Sequence, residues 1–225
     1  MTEPGQRRLL LWLSLLSLAF GYIEASVVVY LREISYPEGF RFPLVPPPAH
    51  LLWTELGREA ATLLLLFSLA SLLSRDKLRR FAIFAYCFGL WDLTYYLVLK
   101  LILDWPASLL TWDVLFLIPL PWTGPVLAPM LVAAALMAAA VFILRLPEGA
   151  SSPFRPIDWA VAWVAGGVIL ASFLWNVPSL ASQAQPHDYP WWLFGAGFIG
   201  GSGWFIWRFM RHQRSLHPGP SGRQD

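Results

Sequence analysis

Glu24, Glu59 and Asp92 are the residues of this chain whose type and placement could do chemistry. Each sits inside a separate apolar run long enough to cross a bilayer. A carboxylate at such depth costs several kcal/mol unless it is paired, hydrated or neutralised, so three of them at similar depth point to one shared polar pocket. Carboxylates held close in a low dielectric share protons, which suits acid/base work. With a phenol such as Tyr96 and water, they could also hold Mg²⁺ or Ca²⁺. The residues themselves name no cofactor and leave the metal open.

The neighbours of each carboxylate define what it can pair with. In HLLWTELGREAAT, Glu55, Glu59 and Thr62 fall at i, i+4 and i+7 and share one helix face. Arg58 lies three residues after Glu55 and can pair with it. That leaves Glu59 without a partner in its own helix, about 12 Å below His50 at the helical rise. In FGLWDLTYYLVLKLILDW, Asp92, Tyr96, Lys100 and Asp104 follow an i, i+4, i+8, i+12 track, with Tyr95 beside it. Lys100 can pair with Asp104, whereas Asp92 lies about 18 Å further along the axis. Its local options are the Tyr96 hydroxyl or a group on another helix, and its structural alternative is a hydrogen bond that fixes helix packing. Glu24, in FGYIEASVVVYLRE, is two turns from Arg32. An interhelical salt bridge to Arg58 or Lys100 is its structural alternative. The candidate catalytic set is Glu24, Glu59, Asp92 and Tyr96.

The elements that must position these groups are transmembrane helices. The 225 residues are 57% hydrophobic and only 13% charged, against about 25% charged for a soluble domain. Six runs are long enough to span: roughly 9–31, 51–73, 81–103, 124–144, 159–177 and 191–210. The first continues through VVVY and lacks a clear small-residue cleavage site, so it reads as a retained helix, not a signal peptide. Twelve of the 16 Lys and Arg residues fall on one side of these spans. By the positive-inside rule both termini are then cytoplasmic, in a bacterial-type inner membrane. The expected fold is all-α: a polytopic six-helix transmembrane bundle, residues 1–213 as one domain, followed by a polar, disordered cytoplasmic tail, 214–225.

Outside the spans, DWPASLLTWDVLFLIPLPW (Asp104–Trp122) is too apolar for a solvated loop and is expected to lie at the interface or re-enter the bilayer. Asp113, after Thr111, is expected to support the N-terminus of a short helix, with a lid over the pocket as the alternative. The last three spans are rich in small residues (AAALMAAA, GG, GAGFIGGSG). They suit close helix packing, or a face for a homo-oligomer or membrane partner. Gly195, Gly197 and Gly200 match a dinucleotide fingerprint in spacing only, because no strand precedes them.

Several functions are set aside. The four His residues (His50, His187, His212 and His217) lie at span ends, in loops or in the tail, so no bis-His haem site forms within the bilayer. Neither Lys77 nor Lys100 lies in the last span, where a retinal Schiff base would need it. The single Cys excludes an intrachain disulfide. No phosphate-binding loop or nucleophile elbow is present. The basic run at 75–80 is explained by topology and anionic lipid, so the lipid bilayer, and no nucleic acid, is the expected contact. Three classes remain: an outer-leaflet membrane enzyme, a non-catalytic assembly or partner-binding subunit, and a small proton- or cation-coupled transporter. The transporter class is weakened because the two halves show no inverted-repeat symmetry.

Overall fold

The computed structural model describes residues 3–45, 47–147, 152, 154–182, 184, 186 and 188–216. His187, His217 and the tail beyond Leu216 lie outside the described residues. Among those described, the chain forms helices α1 (Glu3–Ser35), α2 (Ala49–Leu73) and α3 (Lys77–Leu103), strands β1 (Trp112–Phe116) and β2 (Trp122–Pro125), then helices α4 (Leu127–Leu144), α5 (Pro156–Leu174), α6 (Val177–Ala181) and α7 (Trp191–Leu216). Five stretches are long and apolar enough to cross a membrane: Gly5–Ser35, Ala49–Leu73, Lys77–Leu103, Leu127–Leu144 and Pro156–Leu180. The sequence expectation was six. The sixth, 191–210, is helical within α7, but Trp, Gly and Ser take the place of Leu and Val there, so its hydropathy falls short. The protein is a mostly helical, multi-pass membrane protein. Leu11, Leu15, Leu64, Leu65, Phe67 and Leu72 are among the large apolar side chains left exposed on its helices, as lipid contact requires.

The chain divides into two compact units, Met1–Glu148 with Phe173–Pro190, and Gly149–Ser172 with Trp191–Asp225. In the first unit α3 is central and packs against α1, α2 and α4. On α1 the residues Leu13, Ser17, Gly21, Ala25 and Arg32 are buried, a spacing of four, four, four and seven that draws one stripe along the helix. Gly21 lets this stripe meet α3 closely: a Cβ there would lie 2.7 Å from Thr94 Cβ and 2.9 Å from the Trp91 carbonyl oxygen. Gly89 does the same between α3 and α4, where a Cβ would sit 2.5 Å from the Ala133 carbonyl oxygen. On α2 the buried stripe is Glu59, Thr62, Leu66 and Ala70. Two of its four members are polar, so this face serves more than packing.

Helix ends are capped locally. Asp76 accepts from the Arg79 N–H at 2.8 Å and opens α3. At the other end Asp104 takes a left-handed conformation, φ 50°. Lys100 Nζ there reaches Asp104 Oδ1 at 2.6 Å and donates to the Asp104 and Pro106 carbonyls at 3.3 and 3.1 Å, so it holds the chain that leaves the helix.

The segment expected to lie at the interface or re-enter the bilayer contains a β-hairpin. β1 and β2 pair antiparallel, Trp112 with Pro125, Asp113 with Gly124 and Val114 with Thr123. Two further bonds, Val126 N–H to Thr111 O at 3.0 Å and Leu127 N–H to Leu109 O at 2.8 Å, carry the pairing to the start of α4. This satisfies backbone groups that lipid could not. Asp113 is therefore a strand residue and caps no helix. Gly124, opposite it, lies against Tyr189 and Phe173, where a Cβ would come within 3.1 Å of the tyrosine ring. α4 begins at Leu127, because Trp122–Pro125 is consumed by the strand.

In the second unit α5 and α7 meet at Gly197, where a Cβ would lie 2.9 Å from the Ala165 carbonyl oxygen. Asp158 joins them. Its carboxylate accepts from the Arg155 N–H at 2.7 Å, Trp204 Nε1 at 2.8 Å and Arg208 Nε at 2.9 Å. α7 runs on through Arg214 to Leu216, the first residues of the expected tail.

Candidate functional site

The stripe on α1 ends in Arg32, seven residues beyond Ala25 and so on the same inward face. At 8% exposure it is buried, and its Nη2 donates to Asp113 Oδ1 at 2.9 Å. Its guanidinium also lies 3.7 Å from the Trp105 ring centroid and 4.5 Å from that of Phe40, a stacked cation between two aromatic faces. Asp113, 2% exposed, reaches Arg32 because β1 carries it back over the bundle end. Burial pushes the Asp113 carboxyl up to about 6, and the Arg32 charge holds it from rising further.

α2 supplies a second cation. Arg58 pairs with Glu55 of its own helix and with Glu24 of α1. Its Nε donates to Glu55 Oε2 at 2.9 Å, so one guanidinium serves two carboxylates. The structural alternative for Glu24 thus holds with Arg58, while Lys100 stays with Asp104. One turn along α2, Glu59 receives the backbone N–H of Leu117 at 3.1 and 3.0 Å from its two oxygens. Leu117 lies in the β1–β2 connection, so Glu59 ties the hairpin to the bundle.

Asp92 differs from all of these. Among the described residues it has no hydrogen-bond or ion-pair partner, although it lies within electrostatic reach of Asp113 and Glu24. It keeps part of its surface open, as do Glu24 and Tyr95. The Tyr95 and Tyr96 rings stand edge to face with centroids 4.9 Å apart, and Tyr96 is 6.4 Å from Trp105. The Tyr96 phenol lies beside the Asp113 carboxylate, but Asp113 Oδ2 has no partner in hydrogen-bonding geometry. Arg32 Nη1 is likewise buried without one.

Three of the sequence candidates, Glu24, Asp92 and Tyr96, share one electrostatic cluster. Glu59 belongs to the adjoining Arg58 network, within reach of Arg58, Glu55 and Glu24, and its carboxylate turns to the hairpin. The carboxylate that stands with Asp92 is Asp113. Sequence reasoning also missed Arg32 as a buried member. The signal was present, since it continues the Leu13–Ala25 stripe. Asp158 was missed in the other unit; Trp204 and Arg208, four apart on one face of α7, were its only sequence trace.

Comparisons with family models, curated proteins and solved structures find no match to this chain.

Proposed function

We propose that the chain is an outer-leaflet membrane enzyme in which Asp92 transfers the proton. The observation that carries this reading is a contrast within one cluster. Glu24 and Glu55 have Arg58, Asp113 has Arg32 and Glu59 has the Leu117 N–H, while Asp92 has no such donor among the described residues. A carboxylate with no fixed donor is free to exchange a proton with a bound group. In this reading Tyr96 and Tyr95 present hydroxyls to the same space and Arg32 fixes Asp113 beside it. Glu24 links the site to Arg58, and Glu59 acts as a positioning residue through the hairpin.

The topology belongs to the same proposal. α7 is the sixth span, both termini are cytoplasmic and the hairpin faces outward in a bacterial inner membrane. The basic-residue distribution supports this arrangement. A reporter fused after Asp225 that matures outside the cytoplasm would reverse it.

The decisive experiment reconstitutes wild type and Asp92→Asn in vesicles of total bacterial lipid and follows the lipids by mass spectrometry. A lipid product formed by wild type and abolished in Asp92→Asn, with both proteins equally folded, supports the enzyme. Unchanged lipids with proton uptake lost in Asp92→Asn would replace it with the transporter reading. Gly166, Gly195, Gly200 and Gly203 have open space where a side chain would be. This favours, as the second reading, a homo-oligomer or a membrane partner seated on the small-residue helices. That reading stands if vesicles show neither lipid turnover nor proton flux while a partner protein, or a second copy, co-purifies with the chain.

A further inference from the structure

Seven charged groups of the first unit leave a defined imbalance around Asp92. Five carboxylates (Glu24, Glu55, Glu59, Asp92 and Asp113) face two guanidiniums, Arg32 and Arg58. Both guanidiniums are already engaged. Two buried atoms of the Arg32–Asp113 pair, Asp113 Oδ2 and Arg32 Nη1, have no hydrogen-bond partner among the described residues, and the Asp92 carboxylate beside them has none either. Buried polar atoms of this kind are normally satisfied by something. Whatever meets them must offer several donors, carry no net negative charge and present one acceptor toward Arg32.

Water meets these conditions but does not relieve the excess of negative charge. A phosphate offers only acceptors and adds charge of the wrong sign. An ammonium group supplies three donors and a positive charge. The Tyr95 and Tyr96 rings lie within electrostatic reach of Asp92 and Asp113, and aromatic rings favour a cation. Asp92, Glu24 and Tyr95 keep open surface, so a small group can reach them.

We propose that the space bounded by Asp92, Asp113, Tyr95 and Tyr96 binds a primary ammonium group whose neighbouring oxygen accepts from Arg32 Nη1, as in an aminoalcohol. This rests on the outer-leaflet reading and narrows its substrate class to amine-bearing molecules. The same chemistry is offered by a free aminoalcohol and by an aminoethyl lipid headgroup. The two sources separate experimentally.

The test follows the thermal midpoint of the full chain by tryptophan fluorescence. In detergent the probes are ethanolamine, glycerol and inorganic phosphate. In nanodiscs the probes are phosphatidylethanolamine and phosphatidylglycerol. Ethanolamine is expected to raise the midpoint saturably, with half-saturation about tenfold or more weaker in Asp92→Asn, the loss of one charge-assisted contact. Glycerol and phosphate are expected to leave it unchanged. A shift by phosphatidylethanolamine nanodiscs but not by ethanolamine assigns the ammonium to a lipid; a shift by both admits the free amine. Should Asp92→Asn not fold, a change in the carboxylate stretching bands of wild type on ethanolamine addition, reduced in Tyr96→Phe, supports the site. Equal stabilisation by phosphate or glycerol, an ethanolamine effect untouched by Asp92→Asn, or no shift with either amine source overturns it. Vesicles that turn over only an amine-free lipid would reject the ammonium site and keep the enzyme. Amine binding without lipid turnover would do the reverse.

Discussion

Asp158 and Asp92 are both carboxylates among apolar helices, one in each compact unit, and their surroundings are opposites. Asp158 is 6% exposed and accepts from three donors: the Arg155 N–H, the Trp204 indole and the Arg208 guanidinium. Both oxygens are engaged, and the result is a clamp between α5 and α7. Asp92 has none among the described residues and stands near two other carboxylates, Glu24 and Asp113. A fully satisfied buried charge specifies one packing; an unsatisfied one costs stability that packing does not return. The first kind holds a structure together, and the second is where a structure has room for a ligand or a proton.

The sharpest way to break this comparison is at the clamp. Asp158→Ala strands Arg208 and leaves two further donors unmet, and should cost about 3 kcal/mol. Arg208→Met in the same chain should recover most of that, because the stranded charge is gone. Unfolding in mixed micelles against mole fraction of SDS measures both. If the single substitution is silent, Asp158 is no clamp and the contrast with Asp92 collapses.

A smaller effect separates Asp113 from Asp158. The folded-state carboxyl of Asp113 titrates near 6, above the ordinary Asp value. The native protein therefore holds this proton more tightly than the unfolded chain. Asp113's contribution to stability is complete below about pH 4 and is lost as pH rises through about 6. The thermal midpoint should accordingly fall across this window in wild type and fall less in Asp113→Asn. A midpoint equally pH-dependent in both proteins would remove Asp113 as the titrating group.

The smallest effect is expected at Asp92 itself. Asp92→Asn removes a charge with no partner, so the unfolding curve should move by less than about 0.5 kcal/mol, or toward greater stability, since a neutral amide is cheaper to bury. A loss as large as that at Asp158 would show that Asp92 is a packing residue, and the two regions would then be alike.

The helical spans were legible because apolar runs of about 20 residues leave few alternatives. The Arg58–Glu55 and Lys100–Asp104 pairs were legible from their i+3 and i+4 spacing. The Arg58–Glu24 bridge was visible as one of two options, because the sequence gives depth without rotation. The hairpin was not legible. Its strands of five and four residues are too short to show alternation, and Pro119 and Pro121 between them mask the turn. Its anchor on Glu59 is a backbone N–H, which any residue but proline supplies, so Leu117 carries no trace of it. Without the hairpin, Asp113 had no route to Arg32 or Asp92, and the cluster could only be guessed through Glu59.

The Arg58–Glu24 bridge has a consequence for biogenesis. Glu24 leaves the ribosome before Arg58, so for a time α1 carries a charge whose partner is still unmade. A helix in that condition partitions poorly into lipid until α2 arrives beside it. The two helices should therefore leave the insertion machinery together, as a hairpin of spans, and a nascent chain stalled before Arg58 should remain extractable by alkali while one stalled after it resists.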